Sequence, residues 1–106
     1  MPAHHDAKER PKYYLLNGKE TQPATLEQWE KFMQDGNRLI LRFIGREFEV
    51  STVFLGLDHA WGDEEPVLFE TMVFGGKHDQ YQERYSTYEE AEEGHNRILQ
   101  MVLSDR

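Results

Sequence analysis

Four side chains in this sequence are of types that move protons or bind metal ions: Asp58, His59, Glu70 and His95. Asp58 and His59 are adjacent at the end of an apolar run, where a carboxylate beside an imidazole can serve as an acid/base pair or as half of a metal site. The structural alternative is that Asp58 caps a turn and His59 is half exposed. Convergence of all four would indicate a small hydrolase or a metal-dependent enzyme.

Glu70 is the one charged residue in the apolar run 67–74. A carboxylate buried in a sheet must be paired, because an unpaired buried charge is too costly. Arg42 and Arg84 are the candidate partners, and the alternative is that Glu70 lines a cavity filled by a ligand. In both cases we expect the position to be sensitive to substitution.

His95 lies in an otherwise apolar helical stripe, directly after Gly94. A glycine within a helix costs about 1 kcal/mol relative to alanine, which indicates a close backbone approach at this point. We expect His95 to face the sheet. It is then either a core residue hydrogen-bonded to a neighbour or a partner of Glu70 or Asp58.

Motifs of common catalytic and cofactor sites are absent from the sequence. It has no H-x-x-x-H pair, no Gly-x-Ser-x-Gly, no phosphate loop and no dinucleotide fingerprint. It also contains no cysteine, which excludes disulfides, thiolate metal sites and cysteine nucleophiles. We therefore predict no cofactor and no metal ion.

Composition places the 106 residues in the class of ordinary globular domains, with 38% hydrophobic and 30% charged residues. The formal charge of −8 disfavours direct binding to nucleic acid, which normally requires a basic face. No apolar run approaches the roughly 20 residues that span a bilayer, and the first residues lack the apolar core of a signal peptide. These features predict a soluble, cytoplasmic protein without membrane contact.

The stretch 49–76 contains two apolar runs, 50–57 and 67–74, which predict the two central strands of a sheet. Apolar residues occupy both odd and even positions of the first run. Either the strand is buried on both faces, or a bulge near Ser51 and Thr52 changes the register. We favour burial on both faces, because Phe54 keeps the even positions apolar.

Two capping boxes predict where the helices begin: Thr25 with Gln28, and Thr87 with Glu90. The first helix should end at 35–37, where a residue in the left-handed region is expected. The second helix carries an apolar stripe predicted to face the sheet. The stripe is formed by Tyr88, Ala91, His95, Ile98 and Val102.

The fold predicted from these segments is α+β, a single domain spanning 12–106 after a mobile tail at 1–11. It has a mainly antiparallel sheet of four to five strands with two helices packed on it, in the order β-α-β-β-β-β-α. The first strand, 13–16, leads into an Asn-Gly turn. Either predicted edge strand, 38–44 or 81–85, could pair with a second copy of the chain, so a homodimer is compatible with the sequence.

Three strings of the sequence resemble a family of small proteins encoded by bacteriophages and prophages. They are VSTVFLGLDH at 50–59, LFETMVFGG at 68–76 and RYSTYEEAEEGH at 84–95. The resemblance covers the C-terminal half and, more loosely, the helix around Trp29. The family has no established activity, so what the resemblance implies is context: an accessory gene product inside a bacterial host cell.

Together these features predict a non-catalytic phage accessory protein that binds a host protein or a small anionic molecule. Exposed aromatic and loop residues dominate recognition, and five residues of these kinds form the predicted contact set. They are Trp61, Lys77, His78, Tyr81 and Tyr85. The catalytic alternative uses Asp58, His59, Glu70 and His95, and a weaker alternative is an acidic mimic of nucleic acid.

Overall fold

A computed structural model describes residues 11–61 and 64–105, in which six strands and two helices form two antiparallel sheets. The strands are β1 (Tyr13–Asn17), β2 (Glu20–Ala24), β3 (Leu39–Ile44), β4 (Glu49–Phe54), β5 (Phe69–Phe74) and β6 (Gln82–Tyr85). The helices are α1 (Leu26–Asp35) and α2 (Tyr88–Ser104). The predicted α+β class is confirmed. Of the predicted tail, 1–10 lie outside the described residues.

The β1–β2 hairpin turns at Gly18, whose φ of +66° places it in the left-handed region. A turn is confirmed at the predicted place, but its central residues are Gly18 and Lys19, and Asn17 remains in β1. The predicted order lacked β2. That strand, ETQPA, has no apolar alternation and contains Pro23. Among the described strands it pairs with β1 alone, and proline is tolerated on such an edge strand because its missing donor faces outward.

The four-stranded sheet runs in the order β3-β4-β5-β6. In its two central strands Thr52 lies opposite Thr71 and Phe54 lies opposite Phe69. Even positions of β4 are buried, while odd positions are half-buried. Burial on both faces was therefore the wrong expectation, and the bulge near Ser51 and Thr52 does not occur either. The irregularity lies in β3, between Leu39 and Leu41.

The helix α2 packs on the even-numbered face of β4 through the predicted stripe. Its capping box is present, with the Thr87 hydroxyl accepting from the Glu90 amide at 3.1 Å. Four members of the stripe are buried and Tyr88 is half-buried, which confirms the stripe. The buried members are Ala91, His95, Ile98 and Val102.

The helix α1 begins at the predicted capping box, where Thr25 and Gln28 exchange side-chain and backbone hydrogen bonds. Its predicted left-handed end is wrong, since Gly36 has a φ of −82°. Glycine is needed there for another reason: a Cβ would lie 2.6 Å from the Phe32 carbonyl oxygen. Neither described helix is long and apolar enough to cross a membrane.

The described elements that cover the four-stranded sheet lie on one of its faces. The Phe54 ring, on the face that α2 covers, contacts the Phe32 ring of α1 with centroids 5.8 Å apart. Tyr14 of β1 belongs to the same buried cluster, together with Phe69 of β5 and Ala91 of α2. The described residues therefore place both helices and the hairpin on one side and leave the other side of the sheet open.

Candidate functional site

The four candidate catalytic residues do not converge. Glu70 lies opposite Val53 and Arg84 in the sheet, on the face away from the helices. His95 contacts Thr52 on the helix-covered face, so the sheet separates it from Glu70. Within residues 11–61 and 64–105, no three histidine or acidic side chains form a group that could hold a metal ion.

Asp58 organises the loop that connects β4 to β5. Its Oδ1 accepts hydrogen bonds from the Ala60 amide at 2.8 Å and from the Val67 amide at 3.0 Å. His59 next to it is exposed. Asp58 thus caps the turn as the structural alternative predicted, and its oxygen is committed to two backbone donors.

Glu70 forms an ion pair with Arg84, with 3.0 Å between Oε2 and the Arg84 Nε. Its side chain is 15% exposed. This confirms the predicted pairing with one of the two candidate arginines. The other one, Arg42, binds Glu49 instead, at 2.8 Å between Nε and Oε2.

His95 is a core residue, with 3% of its surface exposed. Its Nδ1 lies 2.8 Å from the Thr52 hydroxyl oxygen, which lies 2.5 Å from the Thr71 hydroxyl oxygen. Burial lowers the pKa of His95, because the apolar surroundings disfavour the charged imidazole. The side chain therefore serves packing and hydrogen bonding within the interface between α2 and the sheet.

Tyr85 was wrongly placed among the exposed contact residues. It is buried beneath α2, where its ring packs so closely against Gly94 that a Cβ on that glycine would overlap the ring atoms. Burial raises the pKa of its hydroxyl. The predicted close approach at Gly94 is confirmed, and Tyr85 is the residue that requires it.

Lys77 and His78 both bind Asp105, just beyond the end of α2. The Lys77 Nζ lies 3.1 Å from Oδ1 and the His78 Nε2 lies 3.0 Å from Oδ2. Their hydrogen bonds lower the pKa of Asp105. These two predicted contact residues therefore bind the residue that follows α2.

Trp61 and Tyr81 are the exposed members of the predicted contact set. Trp61 is 85% exposed on the loop between β4 and β5. The Tyr81 hydroxyl donates to Glu83 at 2.5 Å, and Arg97 of α2 holds the same carboxylate through two nitrogens, at 2.7 and 3.0 Å. Hydrogen bonding from Arg97 lowers the pKa of Glu83.

The feature that the sequence did not reveal is the open face of the four-stranded sheet. Its side chains lie in three rows across the strands: Ile44, Glu49 and Phe74; Arg42, Ser51, Met72 and Gln82; Leu39, Val53, Glu70 and Arg84. Both ion pairs described above, Arg42 with Glu49 and Glu70 with Arg84, lie on it. Its charges are therefore balanced within the face itself.

Large apolar side chains stand exposed on this open face. Ile44 is 66% exposed, and Phe74, on the other side of Glu49 in the same row, is 47% exposed. Large contiguous apolar patches mark interaction surfaces, whereas single exposed apolar residues are common on proteins. No protein-family model, curated protein or solved structure matches this chain.

Proposed function

We propose that this chain is a non-catalytic accessory protein of a phage or prophage, and that it binds a host protein inside the bacterial cell through the open face. The observation that carries the proposal is the exposure of Ile44 and Phe74 on a sheet face that no described residue covers. The resemblance of three sequence strings to phage-encoded proteins supports the cellular context. The separation of Glu70 from His95 favours binding over catalysis by that group.

A protein partner suits this face better than a small anionic molecule. The face is part of a sheet rather than a cavity, and each of its two arginines already binds a carboxylate. The side chains at the other candidate place, Lys77 and His78, both bind Asp105. The depression beside them measures about 130 Å³, whereas small-molecule pockets are typically about 300 to 1,000 Å³.

The test uses a substitution on the open face and a matched substitution elsewhere. Phe74→Asp places a charge at a position that is 47% exposed on the face, and Leu26→Asp does the same at a position that is 47% exposed on α1. Both variants and the unaltered protein are used as bait in bacterial lysate, with quantitative mass spectrometry of what is retained. The folded state of each is checked by circular dichroism.

We expect a protein that the unaltered chain and Leu26→Asp retain, and that Phe74→Asp loses at least tenfold. Identical sets retained by both variants would show that the open face is not the contact surface. Retention of no protein by the unaltered chain would contradict the proposal as a whole.

A further inference from the structure

The outer edge of β3 is a second feature, in addition to the open face, that lacks a partner among the described residues. The strand reads LILRFI and forms one end of the sheet, so that no described strand pairs with its outer side. The Gly45 amide donates to the Phe48 carbonyl at 2.8 Å, so the backbone groups of Gly45 point towards β4. Along an antiparallel strand, backbone groups point alternately towards one neighbour and the other. By that alternation, the backbone N–H and C=O groups of Arg42 and Ile44 point away from β4.

A groove lined by both polar and apolar side chains lies at the turn end of this edge, on the helix-covered face. It has a volume of about 690 Å³ and lies between the β3–β4 turn and the end of α2. Phe43, Phe48 and Leu103 contribute its apolar walls, and the two phenyl rings stack with centroids 5.7 Å apart. An exposed edge strand can accept an added strand, because its outward backbone groups supply hydrogen bonds, and the apolar walls of the groove can take a side chain beside Phe43.

The charge of this edge differs in sign from that of the chain. Residues 38–46, RLILRFIGR, contain three arginines and no acidic residue, although the whole sequence carries −8. Arg42 binds Glu49. Arg38 and Arg46 are exposed, and neither forms an ion pair with a described residue. These two guanidinium groups flank the strand at its two ends.

We propose that the β3 edge binds an extended, acidic segment of the partner protein by strand addition. The added strand runs antiparallel to β3, with apolar residues on the groove side and acidic residues on the side of the open face. The charge partners of the acidic residues are Arg38 and Arg46, because Glu49 already binds Arg42. This inference rests on the proposed binding function and names the chemistry of the partner. It also enlarges the contact, because the backbone groups of the β3 edge are added to the side chains of the open face.

A second copy of this chain suits the edge less well. Pairing of two β3 strands centred on Arg42 places Arg42 opposite Arg42. Like charges directly opposite one another in a sheet are destabilising. The other edge strand, β6, is four residues long, and the side chain of Glu83 ties it to α2 through Arg97. The charge pattern therefore favours an acidic strand at β3.

The probe is a capped octapeptide of alternating valine and glutamate. We expect it to slow hydrogen exchange of the Arg42 and Ile44 amides and to bind more weakly as salt rises, because screening weakens exposed charge pairs. A peptide with lysine in place of glutamate should bind at least tenfold more weakly. Methylation of the glutamate amides should abolish binding, since in this register those amides face β3.

The protein variant is the double substitution Arg38→Glu with Arg46→Glu, and its matched control is Lys12→Glu with Lys31→Glu, which makes the same charge change at exposed positions elsewhere. Affinity measured by fluorescence anisotropy should fall at least tenfold in the first and stay within twofold in the second. Equal binding of the glutamate and lysine peptides, or unchanged exchange at Arg42 and Ile44, would overturn the inference.

Sedimentation equilibrium without peptide completes the test. A dimer that protects the Arg42 and Ile44 amides would assign the edge to a second copy and overturn the acidic-strand inference. If the glutamate peptide does not bind, and Phe74→Asp abolishes retention of a host protein, the edge inference is wrong and the proposed function stands. If the peptide binds as expected but no host protein depends on Phe74, the proposed use of the open face is wrong.

Discussion

The imidazole Nδ1 of His95 lies 2.8 Å from the hydroxyl oxygen of Thr52 at the centre of the interface between α2 and the sheet. Thr52 in turn contacts the Thr71 hydroxyl on the neighbouring strand. This polar chain separates two apolar clusters, one around Phe54 and Phe69 and the other around Ile98 and Val102. Buried polar groups of this kind stabilise the interface only while each keeps its partner.

The stability of the protein should fall as the pH drops below about 6.5, the ordinary pKa of histidine. Burial holds the pKa of His95 below that value in the folded state, so the unfolded chain binds the proton first. The contribution of the neutral His95 to the free energy of unfolding is therefore fully present above about pH 6.5. It declines from there towards the folded-state pKa, by up to about 1.4 kcal/mol per pH unit. Urea unfolding between pH 5 and pH 8 measures the slope.

The variant His95→Asn isolates this effect, because the amide does not titrate. It should lower stability at pH 8 but show a flatter dependence between pH 7.5 and pH 5.5. Glu83 does not affect this comparison. Because its pKa is lowered from the ordinary value of 4.5, its contribution to stability is lost only as the pH falls below about 4.5. Parallel curves for the two proteins above pH 5.5 would show that His95 is not the titrating group.

The two threonines of the polar chain should differ in their sensitivity to valine. Thr52→Val removes the hydroxyl that contacts both His95 and Thr71, so it leaves two buried groups unpaired and should cost about 2 to 4 kcal/mol. Thr71→Val leaves the contact between Thr52 and His95 intact and should cost about 1 to 2 kcal/mol. Denaturant titrations give both values, and a cost for Thr71→Val equal to that for Thr52→Val would contradict the proposed order of contacts.

The sequence predicted the elements whose local signals agree with their packing. The capping boxes at Thr25 and Thr87 and the stripe through Ile98 are found where expected, because capping and apolar periodicity act within one helix. Glu70 was also correctly assigned to an ion pair, although the expected reason, burial on both faces of the sheet, does not hold, because Glu70 lies on the open face. The capping boxes and the helical stripe depend on residues that are close in sequence.

The open face could not be found in this way. In β5 the residues Phe69 and Phe74 are both apolar, yet Phe69 is buried beneath the helices and Phe74 is exposed. Alternation identifies two faces but does not say which one the helices cover when both carry large apolar groups. Tyr85 was misplaced for a related reason, because only the packing of α2 through Gly94 places its ring inside.

Gly94→Ala should destabilise the protein, although alanine is the better helix former. The added Cβ would overlap the Cε1, Cζ and hydroxyl atoms of Tyr85, so one of the two elements must shift. The gain of about 1 kcal/mol from helix propensity is outweighed by overpacking, and we expect a net loss of about 1 to 3 kcal/mol. Thermal unfolding of purified variants measures it.

The matched control is Asn96→Ala, at an exposed position of the same helix, which should be neutral or slightly stabilising. A double-mutant cycle with Tyr85→Leu tests the cause, because leucine lacks the atoms that clash. When Tyr85→Leu is already present, Gly94→Ala should lose most of its cost. An unchanged cost there would mean that the ring of Tyr85 is not what excludes the Cβ.

Asp58→Ala should loosen the loop between β4 and β5 and lower stability by about 1 to 2 kcal/mol, because the Ala60 and Val67 amides lose their shared acceptor. Hydrogen exchange at both amides should quicken. Asp58→Asn keeps an acceptor oxygen and should lose less, whereas His59→Ala, at an exposed neighbour, should stay within about 0.5 kcal/mol. If exchange at Ala60 and Val67 is the same in Asp58→Ala as in the unaltered protein, Asp58 does not hold the loop.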